Sequence, residues 1–336
     1  MAPLSPTIDD LRLEVDRTVA ADLERKTEAL PEARLLIEEM WRLTAAGGKR
    51  LRPAFCYWGF RAGGGTHGSG IVRAASSLEL LHTFAIVHDD IMDAADERRG
   101  EEAVHARHGV GVGILVGDLA LVLADEAFMG AGFPPPVTAR AFAAYSRMRQ
   151  EVIAGQYLDL AYASRTDITV AEARRVAVLK SGRYTIEEPL AIGAALAGAP
   201  DDFLARLAAF GGPLGEAFQL RDDLLGTFGD RSSVGKPVDS DILEGKRNVL
   251  YAFAAGSLKG ADRDFLTSRW GGSSLAEDEV ARLRELVESS GARAATERLL
   301  DEQVDEALAR LGELGLGTEE RAALEELVFL ATARRA

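Results

Sequence analysis

Cysteine occurs once in the 336 residues, at Cys56, which excludes a disulfide framework and any cysteine-rich zinc or iron–sulfur centre. Proline is scarce at 11 residues, so long stretches carry no helix breaker. Strictly alternating β-branched runs, the mark of half-buried strands, are also scarce. Basic residues are outnumbered: 39 Lys+Arg against 53 Asp+Glu leave a net charge of -14, which does not suit a chain that wraps a nucleic-acid backbone. No run reaches 18 consecutive apolar residues, so no membrane span is expected. The first residues, MAPLSPTIDDLRLEVD, turn acidic early and lack a basic-then-apolar pattern, so a reducing, cytoplasmic setting is expected.

What is present is helix-forming. Glycine reaches 34 residues, with short clusters at Gly63–Gly65, Gly130–Gly132, Gly211–Gly212 and Gly271–Gly272. Between these lie stretches rich in Ala, Leu, Glu and Arg, all strong helix formers. Arg12 to Met40 reads as one or two amphipathic helices. Val72 to Ile91 and Ala205 to Phe228 are apolar on nearly every face, as helices in the middle of a bundle are. Thr169 with Glu172 predicts a capping box, and Leu275 to Leu311 reads as an outer helix. The expectation is all-α. No linker-like segment divides the chain, so residues 1–336 read as a single domain, with a motif-bearing core at about 40–250 and outer helices at about 251–336.

The apolar helices end in acids. Asp89, Asp90 and Asp93 form DDxxD, with Asp89 and Asp93 one turn apart on one face. Like charges at that spacing destabilise a helix, and buried carboxylates are costly unless compensated. A hard divalent cation such as Mg²⁺ compensates them, as it takes oxygen ligands and is commonly shared with substrate phosphates. The alternative is a solvent-facing acidic helix end. A second cluster, Asp222 and Asp223 with Gln219 one turn before Asp223, repeats the event, and Asp230 follows in a Gly-containing segment. Two acidic clusters facing one cavity would hold several Mg²⁺ ions around a diphosphate.

Cations gather at helix ends: Lys49, Arg50 and Arg52 in GGKRLRP, with a helix starting near Pro53; Arg98 and Arg99 after DDxxD; then Lys180, Lys236, Lys246 and Arg247. Singly, each reads as a solvated surface residue; together, in so acidic a chain, they suit phosphate. Gly235-Lys236 lacks the glycine spacing of a P-loop. His105 and His108 have no third soft ligand nearby, and no HExxH occurs, so a zinc site is not expected. His82 reads equally as a satisfied core histidine or as a phosphate donor.

In this order, GGKRLRP, HDDIMD with RRG, and FQLRDD with GKP and GK, the motifs resemble those of the trans-isoprenyl diphosphate synthases, the polyprenyl synthetases. The resemblance implies a large helical bundle around a deep central cavity, the isoprenoid synthase fold, working as a homodimer. It implies that Asp89, Asp90, Asp93, Asp222 and Asp223 hold Mg²⁺ (three ions with substrate bound, Mn²⁺ as a substitute) against an allylic diphosphate. Arg98, Lys180, Lys236 and Lys246 resemble the basic partners of that diphosphate, and Gln219 the glutamine flanking the second motif. Lys49, Arg52, His82 and Arg99 resemble the separate, metal-free site for isopentenyl diphosphate. Ser181 and Thr185 would orient the reacting pair. The implied reaction is head-to-tail condensation with release of pyrophosphate. One departure stands out: the third aspartate of the second motif is Gly226, and Asp230 is the expected substitute, acting through water.

Phe84 and Ala85 lie five and four residues before Asp89. By resemblance, one aromatic there without an insertion in DDxxD implies a C20 product, with C15 the second choice; Val112 and Leu115 on a facing helix would adjust the depth. A class I terpene cyclase, a non-catalytic partner subunit and a helical scaffold are the rival readings. Asp222-Asp223 and the Lys49/Arg52/His82 set argue against the first and the intact first motif against the second, while a scaffold would show no Mg²⁺-dependent diphosphate binding by calorimetry. A dimer face is expected around Leu115 to Ala127, where Leu119, Leu121, Val122, Leu123 and Phe128 suit the monomer core equally well.

Overall fold

The computed structural model describes residues 6–98, 100–229, 239–272 and 274–332. The expected sites Arg99, Asp230 and Lys236 lie outside these. The chain gathers into two compact units: residues 1–146, 188–208 and 314–327 form the first; residues 147–187, 209–313 and 328–336 form the second.

In the first unit, α1 (Ile8–Ala29) starts at Thr7, whose hydroxyl accepts the Asp10 N–H at 3.1 Å, and stops at Leu30 before Pro31. A short 3₁₀ turn leads into α2 (Arg34–Ala45), so the amphipathic stretch is two helices. There follow α3 (Leu51–Ala62), α4 (Ser69–Met92), a small hairpin of β1 (Glu97–Arg98) and β2 (Glu101–Glu102), α5 (Val104–His108) and α6 (Val110–Met129). In the hairpin, Glu97 pairs with Glu102 and Arg98 with Glu101. The core holds Phe55, Tyr57, Leu78, Leu80 and Leu81, and Phe128 stacks on Tyr145 with ring centroids 4.6 Å apart. Each such side chain contributes about 1.5–3 kcal/mol by burial. By length and composition α4 could cross a membrane, but 72% of its apolar window is buried inside the protein, which makes it a core helix.

The second unit begins within α7 (Pro135–Tyr162). The expected capping box is present: Thr169 Oγ1 accepts the Glu172 N–H at 3.2 Å, and Glu172 Oε2 accepts the Thr169 N–H at 2.9 Å. It opens α8 (Val170–Ala177), which runs on as a π-helical segment, Val178–Glu187, before α9 (Glu188–Leu196) of the first unit.

Helix α10 (Asp201–Phe228) covers the apolar helix expected over Ala205 to Phe228 and runs unbroken through Gly211, Gly212, Pro213 and Gly226. Small residues serve packing here: a Cβ on Gly215 would come within 2.5 Å of the Gly182 carbonyl oxygen, so two backbones meet there. The stretch Leu275 to Leu311 is two helices, Glu277–Ser289 and Ala292–Glu313, parted at Gly291. Nor are the C-terminal helices merely outer: Leu266, Trp270, Leu283, Leu286 and Leu300 pack into one core cluster with Leu220, Leu224, Val249, Leu250 and Tyr251.

Candidate functional site

In the first unit, the acids stand at the end of α4. Asp89 and Asp90 lie in its last turn, and Asp93 is the C-cap, its N–H donating to the Asp89 carbonyl at 2.8 Å. A helix C-terminus carries the negative end of the macrodipole, so three carboxylates there oppose it. Arg98 on the hairpin compensates two of them. Its Nε donates to Asp90 Oδ1 at 2.8 Å, its Nη2 approaches the same oxygen, and Nη2 lies 3.7 Å from Asp89 Oδ2. Asp90 is buried, and Asp89 and Asp93 are half-buried.

Between α2 and α3 the chain passes through Gly47, Gly48, Lys49 and Arg50, and Arg50 adopts a left-handed φ of 51°. Arg50 is buried and committed. Its Nε donates to Asp16 Oδ1 at 2.7 Å, and its Nη1 to Glu79 Oε2 at 2.9 Å and to the Gly47 carbonyl at 3.2 Å. Of the three cations in GGKRLRP, this one fastens the loop, while Lys49 and Arg52 on either side are half-buried. His82 is half-buried on α4, seven residues before Asp89 and so on the same face. Phe84 and Ala85 are half-buried, and Phe84 meets His88 edge to face at 4.9 Å. Leu115, expected to adjust the product depth, is instead 54% exposed; Val112 is half-buried. On the same helix Leu123 and Phe128 are core residues and Val122 is exposed.

In the second unit, the π-helical segment carries Lys180 and Ser181, both half-buried, and buries Thr185. A π-turn spends an extra residue per turn and recurs at functional positions in helices. Lys180 Nζ donates to Asp159 Oδ2 at 2.6 Å, and Lys246 Nζ lies 3.6 Å from the same oxygen and 3.3 Å from Glu244. Asp159, on α7, thus gathers two of the expected phosphate-binding lysines, and sequence reasoning missed it; the lone signal was an acid in the otherwise mild run Gln156-Tyr157-Leu158-Asp159-Leu160. Lys246 is placed by its neighbours: its carbonyl accepts Trp270 Nε1–H at 3.0 Å, and the buried Arg247 donates from Nε to the Arg165 carbonyl at 2.7 Å over the Tyr251 ring. Arg247 is therefore a strap for this loop rather than a phosphate ligand.

Gln219 Nε2 donates to Asp223 Oδ1 at 2.7 Å, one turn along α10, as the spacing predicts. Asp223 is buried, and its carboxyl is pushed well above the usual carboxylate range by that burial and by the carboxylate of Asp241, with Asp222 adding to it. Asp241 was not expected in the site. It lies on a short helix, Ser240–Leu243, where Oδ2 accepts Asn248 Nδ2–H at 2.9 Å. A Cβ on Gly226 would lie 2.5 Å from Asp241 Cγ, so the Asp241 carboxyl fills the space in front of the position where the third aspartate is missing. Asp230, the expected substitute, lies outside the described residues, so Asp241 is the acid the structure describes at this position. Cys56 takes no part: burial alone pushes its thiol up to about 12.

The donor set fits a hard divalent cation. Every candidate ligand is a carboxylate oxygen, the first set opposes a helix dipole, and the second crowds Asp222 and Asp241 around the buried Asp223. Among the described residues no three such groups close into a protein-only cage. Mg²⁺ is commonly held by one or two carboxylates together with substrate phosphates.

Comparison with known proteins agrees with this chemistry. The chain is 34% identical over 292 residues to the (2E,6E)-farnesyl diphosphate synthase of Mycobacterium tuberculosis, covering 86% of this chain and 80% of that one. It is 34% identical over 259 residues to the geranylgeranyl diphosphate synthase of Sulfolobus acidocaldarius, covering 75% of this chain and 76% of that one. The crystal structure of geranylgeranyl pyrophosphate synthase from Corynebacterium glutamicum, complexed with isoprenyl diphosphate and magnesium, matches with a TM-score of 0.94 at 32% identity, over 98% of this chain and all of that one. The family model for polyprenyl synthetase spans residues 33–287, and with it the helical fold, the paired acidic motifs and the basic loops find one explanation: this chain belongs to the polyprenyl synthetase family.

Proposed function

We propose that this trans-prenyltransferase condenses isopentenyl diphosphate with an allylic diphosphate and that its main product is geranylgeranyl diphosphate, C20, with farnesyl diphosphate, C15, the runner-up. The observation that carries the reading is the arrangement at the end of α4, where Asp89, Asp90 and Asp93 crowd against a helix dipole beside Arg98, with one aromatic, Phe84, on the helix before them. The whole chain, 1–336, is read as one working domain in the cytoplasm.

In this reading Asp89, Asp93 and Asp222, supported by Asp90, Asp223 and Asp241, hold Mg²⁺. The metal, when bound, neutralises the allylic diphosphate and makes it a better leaving group. Arg98, Lys180 and Lys246 donate hydrogen bonds to its oxygens; Lys236, outside the described residues, belongs to the same set. Asp159 positions Lys180 and Lys246 for that task, and Gln219 orients Asp223. Lys49, Arg52 and His82, with Arg99, bind the diphosphate of isopentenyl diphosphate through charge-assisted hydrogen bonds. Three ions per site, and Mn²⁺ as a substitute, follow from the family resemblance.

The allylic C–O bond breaks with its electron pair leaving on pyrophosphate, and a delocalised allylic cation remains. The π electrons of isopentenyl diphosphate form the new C–C bond, and the resulting tertiary cation loses a proton to the released pyrophosphate. Ser181 and Thr185 orient the reacting pair, and apolar walls keep water from the cation. A homodimer is part of the proposal, supported by the exposed Ile114, Leu115, Val122 and Met129 on α6.

The test is mass spectrometry of the products formed by purified protein, Mg²⁺ and isopentenyl diphosphate with C5, C10 or C15 allylic primers. A C20 diphosphate supports the whole reading, and a C15 stop supports the chemistry with the runner-up product. No elongation with any primer, alongside tight pyrophosphate binding, overturns the catalytic reading in favour of a partner subunit.

A further inference from the structure

The proposed chain-length residue does not stand alone. On α4, Phe84 and His88 are one turn apart, with ring centroids 4.9 Å apart and planes at 69°. His88 in turn reaches α6. Its Nε2–H donates to the Ile114 carbonyl at 3.1 Å, and the same nitrogen lies 3.7 Å from Asp118 Oδ1. The imidazole fits there because residue 117 is glycine: a Cβ on Gly117 would overlap the ring. Three contacts therefore form one chain, from a glycine socket on α6 through a hydrogen-bonded imidazole to an aromatic ring on α4.

We infer that His88 is a specificity-determining positioning residue, a strut seated at Gly117 that fixes the Phe84 ring and so sets how far the product can grow. The physical argument is steric and orientational. A phenyl ring on a half-buried helix face swings about χ1 and χ2 unless neighbours hold it. An edge-to-face partner of about 0.5–1.5 kcal/mol favours one orientation. His88 gives that orientation a fixed origin, because a bond to a helix carbonyl and the missing Cβ of residue 117 anchor its own ring to α6. The inference rests on the reading of Phe84 as the floor for the growing chain, and deepens it by naming what holds the floor in place.

The test uses the full chain with Mg²⁺, isopentenyl diphosphate and a C15 allylic primer, and reads the product distribution by chain length beside total isopentenyl incorporation and Tm. Phe84→Ala probes the floor itself and His88→Ala probes the strut. His88→Gln keeps a donor for the Ile114 carbonyl, and Gly117→Ala closes the socket. His88→Ala should raise the fraction of product longer than wild type at least fivefold, and His88→Gln should raise it less. Gly117→Ala should shift the distribution in wild type and leave it unmoved when His88 is already alanine, since the two positions then no longer touch. If Phe84→Ala lengthens the product and His88→Ala does not, the strut is wrong and the floor stands. If Phe84→Ala does not lengthen it, the floor reading fails and takes the strut with it. Should Gly117→Ala fail to fold, the contrast between His88→Ala and His88→Gln decides alone, with equal product lengths in the two counting against the strut.

Discussion

Asp241 Cγ stands 2.5 Å from the point where a side chain on Gly226 would begin, so the two positions compete for one space. An aspartate at 226 and an aspartate at 241 cannot both fit without movement. In the proposed site the carboxylate missing at 226 is supplied by Asp241, from the helix Ser240–Leu243, where it accepts a hydrogen bond from Asn248.

Asp241→Asn should weaken binding of inorganic pyrophosphate in the presence of Mg²⁺ at least tenfold, about 1.4 kcal/mol, as read by calorimetry. Gly226→Asp alone should destabilise the protein by about 1–3 kcal/mol through overpacking. Combined with Asp241→Gly it should recover both Tm and pyrophosphate binding. Undiminished binding in Asp241→Asn would remove Asp241 from the site.

The GGKRLRP loop predicts a division of labour. Arg50→Met leaves the buried Glu79 without the guanidinium that meets it at 2.9 Å and should cost about 3–5 kcal/mol of stability. Lys49→Ala and Arg52→Ala should leave Tm within a degree or two while raising KM for isopentenyl diphosphate tenfold or more. Thermal melts beside steady-state kinetics separate the two behaviours.

Asp159→Asn removes the charge that gathers Lys180 and Lys246. The expected result is roughly a tenfold loss in kcat/KM for the allylic substrate, about 1.4 kcal/mol, with KM for isopentenyl diphosphate nearly unchanged. Equal losses for both substrates would show that Asp159 supports the fold rather than the lysines.

Glu39, which belongs to neither acidic motif, offers a pH test. Burial pushes its carboxyl up, but hydrogen bonds from Arg42 and His108, with Arg107 nearby, outweigh that and hold it below its ordinary 4.5. A carboxyl lowered in the folded state stabilises it above the unfolded value, and the contribution disappears as pH falls through the folded one. Glu39→Gln should therefore lower stability by about 1–3 kcal/mol at pH 7, and the gap from wild type should narrow below pH 4.5. Urea titrations at several pH values measure it.

Local features were legible in the sequence. The capping box at Thr169 and Glu172 and the Gln219–Asp223 pair each depend on residues within one helical turn. DDxxD and the basic runs were legible for the same reason, as each is compact along the chain. Relations across longer separations were not. Nothing near Arg50 distinguishes it from Arg52; its partners Asp16 and Glu79 lie about thirty residues away on either side. Asp241 and Gly226 are 15 positions apart in the chain, and Asp159 reaches lysines 21 and 87 positions on. The reason Gly215 is a glycine, the Gly182 backbone it packs against, is likewise invisible to a local pattern.

The π-helical run Val178–Glu187 is a change of phase in the chain's winding. Side chains before and after it no longer share the azimuth that a continuous α-helix would give them, because each residue added or removed turns everything downstream by about 100°. Lys180 and Thr185 sit inside that change of phase, so their directions depend on the number of residues in the run as much as on their identities. This stretch should tolerate exchange of side chains better than any change of length: a single deletion, with every motif intact, would aim the lysine elsewhere.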